Sequence, residues 1–191
     1  MGKLTGKEIV RQIELGNIKI DPFDASRVNP NSYNLRLGDT LKVYKENAYN
    51  HIGNPCVILD SHRKNETVEI KIPEKGYMLK PGILYLGRTM EKTWTNKYVP
   101  VLDGRSSGGR LGIQVHLTAG FGDIGFDGTW TLEILVVHNV IIYPGDEICQ
   151  ISFEDAIGDT SYQYNGRYNH QEDVTASRFY ETKKGAFDGT V

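Results

Sequence analysis

The stretch TVEIKIPEKGYMLKPGILYLGRTMEKTWTNKYVPVL, Thr67 to Leu102, decides the fold. Short apolar runs alternate in it with turn residues. Val68 to Ile72, Tyr77 to Leu79, Ile83 to Thr89 and Tyr98 to Leu102 read as strands. Pro73-Glu74-Lys75-Gly76, Lys80-Pro81-Gly82 and a polar loop around Trp94 separate them. The rhythm continues through Ile113 to Leu117, Thr129 to Val137, Val140 to Tyr143 and Glu147 to Phe153, with a turn at Tyr143-Pro144-Gly145-Asp146. Strands this short at this spacing predict an all-β barrel or sandwich rather than alternating βαβ units.

Upstream, Thr5 to Leu15 reads as a helix. Thr5 and Glu8 form a capping box, Ile9 and Ile13 lie one above the other, and Gly16 can end it. Ile18 to Ile20 follows as a short strand stopped by Asp21-Pro22. In Asn29 to Gly38, turn residues lead into a strand with Tyr33, Leu35 and Leu37 on one face, and Thr40 to Tyr44 extends it. Residues 45–66 are polar and irregular, a surface excursion with one strand at Cys56 to Leu59.

Residues 1–157 therefore read as one β domain with an N-terminal helix. Residues 158–191 differ, being rich in Gly, Asp, Asn, Thr and Tyr. Tyr162, Tyr164, Arg167, Tyr168, Gln171, Arg178 and Phe179 make this segment too aromatic and donor-rich for a plain frayed end, and a lid over an anionic aromatic ligand fits it better. The net charge of −2 argues against a general nucleic-acid binder but leaves room for a small anionic ligand. The absence of a long apolar run or signal pattern predicts no membrane association and a cytoplasmic protein. Cys56 and Cys149 read as buried, reduced thiols. Zinc deaminases need His-x-Glu and Cys-x-x-Cys, and neither pattern occurs; nor does a Walker A sequence.

The chemistry concentrates in Asp103 to Glu133, DGRSSGGRLGIQVHLTAGFGDIGFDGTWTLE. Arg105 and Arg110 can fork onto phosphate oxygens, and Ser106 and Ser107 add hydroxyls. Gly108 and Gly109 let the backbone approach a bulky anion, and the amides around Gly108 can form a nest. Along Thr129 to Val137 the side chains alternate. Trp130, Leu132, Ile134 and Val136 share one face, and Thr129, Thr131, Glu133, Leu135 and Val137 the other. A partly desolvated Glu133 suits proton transfer. Asp123 lies in a glycine-rich turn, either bonding its own backbone or orienting water or a phosphate-bound metal. His116 and His138 read as packed or surface strand residues.

These motifs, GRSSxxRLG from Gly104, HxTAG from His116 and DxGFxGxxTLE from Asp123, resemble in order and spacing the dCTP deaminase branch of the trimeric dUTPase-like superfamily. The helix, the SYNLRLG strand and the terminal Arg167-Tyr168, Gln171 and Ala176-Ser177-Arg178 correspond too. The resemblance implies a distorted, jelly-roll-type β-barrel that forms a homotrimer with active sites at subunit interfaces. It implies a dCTP or dUTP substrate bringing Mg²⁺ on its phosphates, with no protein metal ligand and no zinc. In the implied roles, Glu133 moves protons, Ala119 helps hold the water, and Ser106 and Arg110 orient it. Arg105, Ser106, Ser107 and Arg110 bind phosphate, and the main chain near Thr131 reads the base. Tyr162, Arg167 and Gln171 close on the triphosphate, and Asp123 assists attack at the α-phosphorus.

Some members of the family stop at dUTP; others continue to dUMP and pyrophosphate. Thr118-Ala119-Gly120-Phe121 looks like the two-step members, while Asp123 is placed alike in both. The sequence departs from the family pattern at Arg167 (usually lysine), Asn34 (usually aspartate), and His170, Glu172 and Asp173 (usually small or glycine). Those departures bear on the nucleotide and phosphate number preferred. The alternatives are a dCTP deaminase that releases dUTP, a dUTPase that ignores dCTP, and a nucleotide-sensing module without catalysis.

Overall fold

The computed structural model describes residues 2–184, with the side chains of 183 and 184 excepted. The chain runs α1 (Gly6–Glu14), β1 (Ile18–Asp21), β2 (Tyr33–Leu35), β3 (Thr40–Tyr44), β4 (Ala48–Tyr49), β5 (Pro55–Cys56), β6 (Thr67–Lys71), β7 (Tyr77–Leu79), β8 (Tyr85–Thr95) and β9 (Tyr98–Gly104). It continues through α2 (Ser106–Arg110), β10 (Ile113–Gln114), β11 (Asp127–Val136), β12 (Val140–Ile142) and β13 (Cys149–Asp155). The tail ends in a single-turn segment, Phe179–Lys184. The larger sheet has the order β10-β11-β8-β3-β6, with β1 also on β8, and the smaller one is β2-β13-β9. All the pairings are antiparallel. Their apolar faces meet in one core, to which Leu35, Leu41, Leu132, Ile151 and Phe153 contribute, giving the mainly β, distorted barrel.

Local chemistry explains the elements. The Thr5 hydroxyl accepts the Glu8 amide at 3.3 Å, half of the predicted capping box; the Glu8 side chain turns instead to Arg11 and Gln12. Gly16 follows the helix with φ 74°, a conformation that glycine adopts without a Cβ penalty. Tyr33, Leu35 and Leu37 are fully buried together, as their alternation requires.

Three expectations are corrected. Trp94 lies within β8, which runs unbroken for eleven residues and pairs with both β11 and β1. Its inward residues are Thr89, Glu91, Thr93 and Thr95, so the segment reads as polar although it is core. Their polar atoms are satisfied internally: the Thr89 hydroxyl donates to the Glu91 carbonyl, and Trp130 donates its indole N–H to Thr93. Residues 48–56 form a minimal hairpin, and the strand expected at Cys56 to Leu59 stops at Cys56, which is only half-buried. His116 and His138 lie just outside strands, in the segments after β10 and β11.

Candidate active site

The site grows from β11. A register shift between Thr129 and Thr131 offsets its pairing with β8, after which Glu133 stands opposite Leu86. From there the strand alternates as the sequence requires, with Leu132, Ile134 and Val136 buried and Thr131 and Glu133 half-buried. Thr129 is the exception, being buried by the tail. Glu133 faces a cavity of about 370 Å³ that is lined by Leu86, Leu102, Phe126, Trp130, Tyr164 and Tyr168 on its apolar side. Thr131, His116, Asp123, Ala119 and Gln171 reach the same space. The Glu133 amide donates to the Val115 carbonyl at 2.9 Å, and its carboxylate Oε2 accepts the Leu117 amide at 2.8 Å. One oxygen is thereby fixed, and Oε1 carries no protein bond among the described residues. A carboxylate oriented through one oxygen at a cavity wall, with the other left free of protein bonds, is arranged for proton transfer.

The turn that brings Asp123 to the mouth of the cavity is closed by the Phe126 amide donating to the Asp123 carbonyl at 3.2 Å, with Gly125 at φ 91°. The Asp123 carboxylate makes no bond to its own turn among the described residues and is exposed. Phe126 and Trp130 pack with tilted rings, their centroids 4.9 Å apart, which sets the aromatic wall behind it.

The C-terminal segment supplies the remaining wall. Gln171 pairs with the β11 edge in both directions: its carbonyl accepts the Thr129 amide at 2.9 Å, and its Nε2 donates to the Thr129 carbonyl at 2.7 Å. A Cβ on Gly128 would stand 2.8 Å from the Gln171 carbonyl oxygen, so this approach requires glycine. Val174 is buried to 2% exposure, and Lys42 Nζ donates to its carbonyl at 2.8 Å. Asp173 lies 3.5 Å from Arg88 and 4.0 Å from Lys42, so this unexpected acid latches the tail to the barrel. His170 sits at φ 60° with Nδ1 3.3 Å from Asp127. Glu172 is exposed.

The other sequence-predicted residues lie elsewhere. Ser106, Ser107 and Arg110 sit on α2, exposed and outside the cavity, and Arg105 precedes them with its side chain paired to Glu147. The expected nest at Gly108 is instead a helical turn, in which the Gly109 amide is taken by the Arg105 carbonyl at 2.9 Å. A Cβ on Gly109 would meet nothing within 4 Å, so that face is open. Arg167 donates to the Arg178 carbonyl and to Thr182 rather than to the cavity, and Tyr162 is 92% exposed. Sequence reasoning missed His116 as a cavity residue, while Tyr168, expected in the lid, does line the cavity. It also missed the Leu117 amide that fixes Glu133, although HLTAG placed that amide beside the expected water position. Among the described residues no group of three His, Cys, Asp or Glu gathers to hold a metal, and no helix is long and apolar enough to cross a membrane.

Residues 3–156 match the dCTP deaminase-like family. The chain belongs to that family. A "dCTP deaminase, dUMP-forming" of Clostridium beijerinckii is 50% identical over 178 residues, 93% of this chain and 96% of its own. A protein of the same description from Leptospira biflexa is 48% identical over the same span. A crystal structure of 2'-deoxycytidine 5'-triphosphate deaminase from Agrobacterium tumefaciens shares the fold, with a TM-score of 0.60 and 20% identity. That match covers 81% of this chain and 48% of the Agrobacterium one.

Proposed function

We propose that the chain deaminates dCTP and carries the product on to dUMP and pyrophosphate, supplying dUMP for thymidylate synthesis. The observation that carries this reading is the Glu133 carboxylate, held by the Leu117 amide at 2.8 Å inside a cavity with aromatic walls. The dUMP-forming relatives at 47–50% identity support the second step.

Glu133 takes a proton from water as the water oxygen bonds to C4 of cytosine. It gives that proton to N3, then carries the proton of the new C4 hydroxyl to the amine, which leaves as ammonia as the C4 carbonyl forms. The fixed Oε2 sets the direction of the carboxylate, and the apolar wall keeps bulk water from competing. Thr131 presents its main chain to the base edge, and Ala119 leaves space for the water. In the second step Asp123, at the mouth, directs a second water onto the α-phosphorus. Mg²⁺ belongs to the nucleotide, carried on its phosphates, and zinc has no part.

The donors Arg105, Ser106, Ser107 and Arg110 lie outside their own chain's cavity, which is the arrangement expected if a neighbouring subunit of a homotrimer brings them to it. Ser106 and Arg110 then orient the water and offset charge that develops in the transition state. Tyr162, Arg167 and Gln171 face the triphosphate from the tail, a role that requires Arg167 to leave its bonds to Arg178 and Thr182.

One assay tests the reading. Purified protein with Mg²⁺ is given dCTP, dUTP or dCMP, and ammonia, pyrophosphate and dUMP are resolved. Equal release of ammonia and pyrophosphate from dCTP is expected. Accumulation of dUTP would leave only the first step, and no ammonia from any substrate would refute the proposal.

A further inference from the structure

Arg105 belongs to the donor cluster by its sequence neighbours, yet its side chain is anchored on the far side of the loop. It flanks α2 at the N-terminus without capping it. Nη1 donates to the main-chain carbonyl of Glu147 at 2.8 Å and lies 2.9 Å from Glu147 Oε2. Nε and Nη2 make no bond to protein among the described residues.

The Glu147 carboxylate is itself held in place. Asn34 donates Nδ2 to Oε2 at 2.8 Å, and Arg27 Nε lies 3.6 Å from Oε1. Asn34 is buried, and its own Oδ1 accepts Asn29 Nδ2 at 2.6 Å, which fixes the amide orientation. The preceding residue is tied as well, because Gln150 Nε2 donates to the Gly104 carbonyl at 2.9 Å while Ser32 holds Gln150 Oε1 at 2.7 Å. Both Gly104 and Arg105 are therefore clamped to the β2–β13 edge before α2 begins.

We propose that Glu147 is a positioning residue for the reaction, with Asn34 as its support. Resting on the functional reading above, it grips one corner of the Arg105 guanidinium, so that the two free N–H edges and the start of α2 are presented rigidly to the phosphates of the bound nucleotide. A charge-assisted pair of this kind is directional and removes the rotamer freedom that arginine would otherwise lose on binding. Glu147 lies 42 residues beyond Arg105 in the chain, and only the fold brings the two together.

The test compares the full-length parent with Glu147→Gln, Asn34→Ala, Arg105→Ala and the double variant Glu147→Gln/Arg105→Ala. The measurements are kcat, KM for dCTP and Tm. In Glu147→Gln, KM is expected to rise about tenfold, the scale for losing a charge-assisted hydrogen bond, with kcat within about twofold. Glu147→Gln should add little in an Arg105→Ala background. An unchanged KM in Glu147→Gln, or the same roughly tenfold rise when it is added to Arg105→Ala, would overturn the clamp. If Glu147→Gln folds poorly, Asn34→Ala decides instead: it keeps the ion pair but removes the amide that holds Glu147. Its KM should rise in the same direction, and an unchanged KM would overturn the clamp. A parent that turns over no dCTP refutes the functional reading instead. The clamp is then read from hydrogen exchange of the 106–110 amides, which Glu147→Gln should accelerate and which unchanged protection would contradict.

Discussion

Two neighbouring regions of this molecule solve opposite problems. The β11 wall gathers Glu133, Thr131 and Trp130 around a cavity that its own chain completes, down to the tail that covers it. The α2 region carries the densest donor cluster in the sequence and shows it to solvent. In the proposed reading, proton-transfer chemistry is built into the fold of one chain, while phosphate chemistry is mounted on its outside and rigidified from behind. In the interface reading, each half of a site is useless without a neighbour.

The most damaging change to the inner half is Glu133→Gln. It keeps shape but removes the proton carrier, so ammonia release should fall roughly a thousandfold, within the range for losing a general base. A dCTP assay giving near-parental turnover would break the assignment. In the scaffold behind the cavity, Glu91 is fully buried against Arg36 at 2.6 Å and also accepts the Arg36 amide at 2.8 Å. Glu91→Ala leaves the half-buried Arg36 cation and its amide without their partner, and thermal or denaturant unfolding should show a loss of about 2 kcal/mol.

The mouth of the cavity allows a finer cut. Asp123→Asn should slow pyrophosphate release from dCTP by about a hundredfold while ammonia release changes little. Parallel loss of both products would show that Asp123 serves the site as a whole. The smallest effect separates core from surface. Burial pushes the Cys149 thiol far above its ordinary range, whereas Cys56 is half-buried in the hairpin. Native protein should therefore titrate one thiol quickly with a disulfide reagent and a second only on unfolding. Two fast thiols would mean that the β2–β13 face opens.

The contrast between the two halves also explains what the sequence could and could not say. Tyr33, Leu35 and Leu37, and the alternating residues of β11, announce themselves because apolar side chains at period two have one stable placement. The inward face of β8 does not, because threonines and a glutamate occupy core positions and are satisfied by partners that only the folded chain supplies, such as Trp130 for Thr93 and Arg36 for Glu91. Glu133 was legible from its strand. The amide that orients it comes from Leu117, on the segment that continues from β10 beside β11, and hydropathy carries no trace of a main-chain donor. The acids of the tail were legible only as anomalies. Asp173 becomes intelligible when Lys42 and Arg88 are seen beside it, cations drawn from strands far away in the chain.

The central claim, that Glu133 of one chain works with α2 of another, is tested most directly by mixing two inactive proteins. Glu133→Gln retains its donors and Arg110→Ala retains its acid. When the two are unfolded or dissociated together and reassembled in equal amounts, about a quarter of the sites in a cyclic assembly would receive both intact halves. Recovery of dCTP deamination toward about a quarter of the parental rate is the expected result. A mixture that reassembles yet stays as inactive as either variant alone would contradict it.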